Sequence, residues 1–264
     1  MSSLARGVMA IPGVRAAGRF AADWVDLQWS LLLGQLRDVA PLARGRLLDV
    51  GCGEKPYENL FAPFVVEYIG VEHEATFTAT EASSRRRKPD VLYDGLRLPF
   101  EDETFDTLLS IQVLEHTPKP ADLLAEMARV VKKGGLLILS APFSFRLHEE
   151  PHDYYRYTPH GLRAMCKTAG FEVTEVRPQG GLWTVLAHKV NTFLAFRVGA
   201  LEGVTQAMGK LGHEDARPTT PRFWVLPLVA PVMGCASAAA RVMDRAIPDE
   251  TEALGYLVLA RRAL

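Results

Sequence analysis

The run Leu47-Leu48-Asp49-Val50-Gly51-Cys52-Gly53 constrains this chain more than any other segment. Aliphatic residues around one carboxylate, closed by two glycines, predict a short buried strand over 46–50 that opens into a tight turn. Glycines remove Cβ atoms where a backbone must take an unusual conformation or approach a ligand closely. A strand, a Gly-x-Gly turn and then a helix build a nucleotide-type cofactor site at the carboxyl end of a parallel sheet.

The turn also narrows the choice of cofactor. A dinucleotide fingerprint carries a third glycine, which permits close helix–strand packing below a pyrophosphate. Here that position is Pro56, in Gly51-Cys-Gly53-Glu-Lys-Pro56. Proline weakens a nicotinamide or flavin dinucleotide reading. No Gly-Lys-Ser/Thr follows, so a P-loop is excluded.

Alternation decides the fold class. From residue 46 onward, strands are expected at 46–50, 66–72, 90–93, 105–111, 135–141, 171–178 and 255–262, with helices near 56–62, 74–84, 119–132 and 158–169. Strands alternating with helices predict a doubly wound α/β fold, a seven-stranded, mostly parallel sheet. Thr158-Pro159 reads as a helix start, with an N-cap and a proline in the first turn. Lys132-Lys133-Gly134-Gly135 reads as a helix end, with cations and glycine where the last carbonyls need them. Arg85-Arg86-Arg87-Lys88 reads as a solvated turn before Pro89.

The chain of 264 residues is long enough for such a domain with an insertion. Its 48% hydrophobic content and net charge of −1 predict a folded chain with no general attraction to nucleic acid. Cys52, Cys166 and Cys235 lie far apart with no metal spacing and read as reduced thiols, which suits a cytoplasmic protein. Arg15 and Arg19 interrupt the N-terminal apolar run, which argues against a secretory signal.

Three regions are expected. Residues 1–43 read as helical cover, with Trp24, Leu27, Leu31, Leu32 and Gln35 in a stripe at helical spacing. Its basic start, with Arg6, Arg15 and Arg19, reads as a solvated terminus or a basic interfacial helix. Residues 44–181 with 251–264 read as the cofactor-binding core. Residues 182–250 read as a helical insertion before the last strand. Within it, Phe223–Ala240 holds 18 uncharged residues, close to membrane-spanning length, but Pro227 and Pro231 argue for a buried or interfacial helix. The insertion could cap an acceptor pocket, form a homodimer contact or rest on a membrane surface, and the cap is favoured. A plain helical hairpin packed on the core is the alternative.

Four segments taken in order carry a family resemblance: Leu47–Gly53, Tyr68–Glu72, Asp94–Phe105 and Leu114–Ala141. The first resembles motif I of class I S-adenosylmethionine (SAM) dependent methyltransferases, where an acid precedes Gly-x-Gly. The family's third glycine would fall at Lys55. The third segment contains Asp94-Gly95 and the turn Leu98-Pro99-Phe100 before Phe105-Asp106. The fourth, Leu114-Glu115-His116 followed by a helix and Lys133-Gly134-Gly135, is similar to the small-molecule branch that includes quinone-biosynthesis methyltransferases. The resemblance covers about residues 44–178 and 255–262.

It implies SAM as cofactor, held by Asp49, Gly51, Gly53, Glu72, Asp94, Gly95 and Gln112. Asp49 would face the cofactor's ammonium, in part through water. Glu72, 23 residues after Asp49, would accept from the ribose diol, and Asp94 from the adenine amino group. Gln112-x-x-Glu115-His116 resembles the Glu-x-x-Glu-His metal arrangement of some quinone O-methyltransferases. The first acid is missing here, so no metal is expected.

Methyl transfer mainly needs a nucleophile held in line with an already activated sulfonium, and a base helps when the acceptor is a hydroxyl or a protonated amine. The loop His148-Glu-Glu-Pro-His152-Asp153-Tyr154-Tyr155-Arg156-Tyr157 follows the fifth strand, on the edge where substrates enter. His152, His148 and His116 are the candidate bases. Tyr154, Tyr155 and Arg156 are the candidate acceptor contacts, although the same residues could instead be a polar network that docks the loop. The expected function is SAM-dependent methylation of an oxygen or nitrogen on a small molecule such as a sugar, a glycan precursor or a secondary metabolite. The rivals are an NAD-dependent oxidoreductase on a related fold and a noncatalytic partner subunit.

Overall fold

A computed structural model describes residues 26–76, 88–198, 223–249 and 251–264. Trp24, the basic residues Arg6, Arg15 and Arg19, the run Arg85–Arg87 and most of the helix expected at 74–84 lie outside the described residues.

The described residues form two compact units, one of residues 34–76, 88–179 and 254–264 and one of residues 26–33, 180–198, 223–249 and 251–253. The first is built on a seven-stranded sheet. Its strands are β1 (Arg46–Val50), β2 (Glu67–His73), β3 (Val91–Tyr93), β4 (Phe105–Ile111), β5 (Val131–Pro142), β6 (Phe171–Pro178) and β7 (Gly255–Arg262). Their order is β3-β2-β1-β4-β5-β7-β6. β7 runs antiparallel to both its neighbours, while the pairs among β1 to β5 are parallel. The doubly wound α/β reading from the sequence therefore holds.

Long aliphatic runs form the centre because they are covered on both faces. Leu47, Leu48, Leu108, Leu109, Leu137 and Ile138 are fully buried. α1 (Leu27–Val39), α2 (Glu58–Phe61), α3 (Pro120–Val130) and α4 (Pro159–Thr168) complete the described helices up to β6. Thr158 caps α4 as expected, its side chain accepting from the Gly161 N–H at 3.0 Å. The stripe of α1 is Leu27, Leu32, Leu36 and Val39, all buried, whereas Leu31 and Gln35 are only half-buried.

The expected helix end at Lys132–Gly135 is wrong. α3 stops at Val130 and β5 begins at once. Its register against β4 jumps from Phe105↔Val131 to Thr107↔Leu136, so Lys132–Gly135 is a bulge in a strand. The Lys132 ammonium sits 2.8 Å from the Asp106 carboxylate on β4 instead of on helix carbonyls. The helix's own last-turn cation is Arg129, which donates to the carbonyls of Leu98 and Phe100 and fixes the loop ahead of β4.

The second unit contains α5 (Leu182–Thr192) and α6 (Leu226–Ala246). Asp244 on α6 accepts from the backbone N–H groups of Gly181, Trp183 and Thr184 and from the Thr184 hydroxyl. One carboxylate thus satisfies the orphan donors at the start of α5 and complements its dipole. Asn191 donates to Ser237 at 2.8 Å, a second buried polar link between the two helices. Val225, Val229 and Met233 pack with Leu194, Ala195 and Val198. Among the described residues, no helix is long and apolar enough to cross a membrane.

Candidate functional site

The chain leaves β1 to build β2 and β3 on one side, then crosses to build β4 on the other. That reversal opens a crevice at the carboxyl ends of β1 and β4, where ligands bind in such sheets. Gly51, Gly53 and Gln112 all fall there. Gly51 has φ +74°, and a Cβ on it would lie 2.4 Å from the Val113 side chain, so no other residue fits. Gly53 has φ +51°, and a Cβ there would meet no atom within 4 Å. The loop therefore presents bare backbone to open space. Lys55 and Gln112 also have positive φ, 52° and 57°. Such backbone conformations cost of the order of 1–3 kcal/mol for a residue with a side chain and cluster at functional sites.

Lys55, at the family's glycine position, keeps the left-handed conformation that a glycine would take. Its side chain runs inward, and its ammonium pairs with the Asp90 carboxylate at 2.6 Å. Asp90 in turn accepts from the Gly70 N–H at 2.7 Å. The sequence reading missed this tie. A lysine standing where a glycine is usual was the available signal.

The acids of this half are held by their own neighbourhood. Glu72 accepts from the Gly53 N–H at 2.7 Å and from the His73 N–H at 2.9 Å. It thus braces the glycine loop. Asp49 is 1% exposed and accepts from the Tyr68 hydroxyl at 2.5 Å. Burial pushes its carboxyl up to about 7 against the pull of that hydrogen bond. Asp94 is exposed and accepts from the N–H groups of Leu96 and Arg97, and the former holds its carboxyl below the usual range. Gly95, with φ +80°, approaches the His73 ring so closely that a Cβ would lie 2.5 Å from Nε2. Gln112 donates to Ser140 Oγ at 3.0 Å.

The second half of the site follows β4 and β5. His116 ends the short turn Leu114–His116, and His148 lies in the loop after β5. Their Nε2 atoms are 3.1 Å apart. The backbone carbonyl of His152 lies 2.8 Å from His116 Nδ1. Burial first, then His116, pull His148 down to about 4, which keeps it neutral and makes it a weak base. Glu115 is fully buried, neither of its oxygens has a hydrogen-bond partner, and burial pushes its carboxyl up to about 8. His152 is exposed, with Nδ1 3.0 Å from the Tyr154 hydroxyl. Of the three histidines brought to this edge, His152 is the one open to solvent with a proton-relay partner.

Arg156 corrects an expectation. Its guanidinium makes a fork to Asp153 at 2.6 and 2.7 Å, and donates to the carbonyls of Phe145, Arg146 and Tyr155. All five N–H groups are used. The side chain is a strut that shapes the loop, and it has no donor left for an acceptor. Tyr155 donates to the Pro118 carbonyl at 3.1 Å and Tyr157 to the Leu114 carbonyl at 2.9 Å, which ties this loop to the one after β4. Tyr154 and Tyr155 are 44% and 40% exposed, so both offer surface at the edge. Tyr57 lies within electrostatic reach of both halves: after burial, the charges of Asp49 and Glu115 push its phenol up.

A sheet of this order with a glycine loop at the β1/β4 switch point is a doubly wound α/β fold with its ligand crevice at the switch point. Residues 48–139 match the family described as a methyltransferase domain. An uncharacterized methyltransferase of Mycobacterium marinum is 38% identical over 128 residues, 48% of this chain and 49% of that protein. The chain thus spans about half the length of the curated relatives it matches. In fold it is similar to a SAM-dependent methyltransferase of Mesorhizobium loti, with TM-score 0.51 and 15% identity over 89% of this chain and 98% of that one. A second such enzyme, from Archaeoglobus fulgidus, gives TM-score 0.51 and 17% identity over 88% and 93%. At these identities the likeness concerns the fold alone.

Proposed function

We propose that the protein is a SAM-dependent methyltransferase that modifies an oxygen or nitrogen of a small molecule, in the class of sugars, glycan precursors or secondary metabolites. The observation that carries the reading is the bare glycine loop at the β1/β4 crevice, braced by Glu72 and facing open space at Gly53. The residues present fit the cofactor. The Gly51–Gly53 backbone would hold its amino-acid end, Glu72 its ribose diol and Asp94 its adenine amino group. When bound, SAM supplies a methyl group already activated by the sulfonium, so the chain's own task is to place an acceptor and remove a proton.

His152 suits the second task. In the tautomer whose Nδ1–H donates to the Tyr154 oxygen, Nε2 carries the lone pair that would take a proton from an acceptor hydroxyl or ammonium. The exposed rings of Tyr154 and Tyr155 would lie along an acceptor of sugar-like or aromatic shape. Placement in the cytoplasm is part of the same proposal and is supported by the three unpaired cysteines.

Calorimetry with SAM and NADH tests the reading. Micromolar or tighter SAM binding is expected, weakened about 10- to 100-fold by Glu72→Ala, which removes a charged acceptor pair. NADH binding without SAM binding would reject it.

A further inference from the structure

The geometry points to a binding site for one divalent transition ion of the zinc class, formed by Glu115, His116 and His148. It goes beyond the methyl-transfer reading and does not depend on it.

The argument starts from where the imidazole protons must be. The His152 carbonyl that faces His116 Nδ1 at 2.8 Å can only accept, so that nitrogen carries the hydrogen. His148 Nδ1 faces the Arg146 carbonyl at 3.3 Å and the Asp153 carboxylate at 3.3 Å, again acceptors only. In both neutral rings the lone pair is therefore on Nε2, and the two Nε2 atoms face each other at 3.1 Å. Two lone pairs at that distance repel unless an electrophile lies between them.

A third donor completes the set. Glu115 Oε1 lies 3.9 Å from His116 Nε2, and its buried carboxylate has no hydrogen-bond partner. One ligand atom from each of the three side chains falls within 4.8 Å of the others. The exposed Glu149 carboxylate stands 3.7 Å from the same His116 nitrogen. Two nitrogens bound at 2.0–2.1 Å to a tetrahedral ion lie about 3.3 Å apart, close to the spacing seen. Two imidazoles and one carboxylate suit zinc and its neighbours, whereas magnesium and calcium take oxygen donors. Three protein ligands leave one coordination position open, the pattern of catalytic rather than structural zinc. Each histidine already has the outer acceptor that metal-binding imidazoles use to fix their tautomer: a backbone carbonyl for His116, and a carboxylate with a carbonyl for His148.

Counting ligands along one segment pointed against a metal, because Gln112 replaces an acid. The third ligand comes instead from the loop after β5, 32 residues from His116.

The test uses the full-length chain stripped of metal, with zinc affinity measured by competition against a chromophoric chelator in the absence of SAM. The expected result is one ion per chain, with affinity reduced about 10- to 100-fold or more in His148→Asn and in Glu115→Gln. His160→Asn, an exposed histidine on α4, should leave it unchanged. No zinc uptake, which would leave a shared proton between the rings, overturns the site. So does uptake that is equal in all variants. Should the variants fail to fold, histidine nitrogen NMR of the wild-type chain decides. Zinc should shift Nε2 of both His116 and His148, and unmoved resonances overturn the site. SAM calorimetry on the same samples reports the methyltransferase reading separately.

Discussion

The two halves of the crevice are held by different means. On the β1–β2 side, apart from the longer Lys55–Asp90 tie, the acids are bound by residues close to them in sequence or in the neighbouring strand. Glu72 meets Gly53 and His73, Asp49 meets Tyr68, and Asp94 meets Leu96. On the β4–β5 side, the polar groups join loops more than thirty residues apart, as His116 with His148 and Tyr155 with Pro118. A half built from strand-end motifs depends on backbone conformation. A half built across two loops depends on the buried struts that hold those loops together.

Four predictions can break or sharpen that contrast. The largest effect belongs to His152→Gln, which should lower kcat by about 10²–10⁴ while SAM affinity stays at the wild-type value. A loss below about threefold with the true acceptor would reduce this histidine to a structural part of its loop. Next is the strut. Asp153→Ala leaves the Arg156 guanidinium without its carboxylate and should cost about 3 kcal/mol of stability in chemical denaturation. Because the loop and the glycine turn are built separately, SAM affinity of the folded fraction should not change. A parallel loss of cofactor affinity would show that the two halves are coupled.

The third prediction concerns Asp49 and has a defined sign. Its carboxyl is raised from 3.8 to about 7, so the folded chain keeps a proton that the unfolded chain has already released. The associated stability is present below about pH 4 and is lost as pH rises through 7. Asp49→Asn should therefore raise stability at pH 8 by the order of 2–4 kcal/mol and make no difference at pH 3.5. A flat difference across that range would mean the carboxyl is ionised in the folded state. The smallest effect is expected from Gly53→Ala. The left-handed conformation costs about 1–2 kcal/mol with a side chain, and the methyl enters open space that a ligand would fill. SAM affinity should fall about tenfold, and the strain should lower the melting temperature by only about 2–8 °C.

The contrast also explains what could be read in advance. The strands at 46–50, 105–111, 171–178 and 255–262 agree with the structure to the residue; the apolar runs of β1, β4 and β7 are buried, while β6 is a half-exposed edge strand. Lys132–Gly135 misled because cations and glycines serve a helix end and a strand bulge equally well. Only the Asp106 partner on β4 separates the two. Arg156 looked like an acceptor contact because an arginine among tyrosines in a loop at the substrate edge is chemically suited to one. Its five donors turned out to be filled by Asp153 and three carbonyls supplied by the folded loop.

The sequence by itself determined the doubly wound sheet, the glycine turn at its switch point and the acids at the strand ends. Those features follow from local periodicity and from backbone conformations that only certain residues adopt. The tertiary structure decided which groups face one another across loops. It turned His148 toward His116, left Glu115 buried without a hydrogen-bond partner and occupied every donor of Arg156. Lone-pair direction, burial and donor count are properties of the folded arrangement, and no spacing along the chain encodes them.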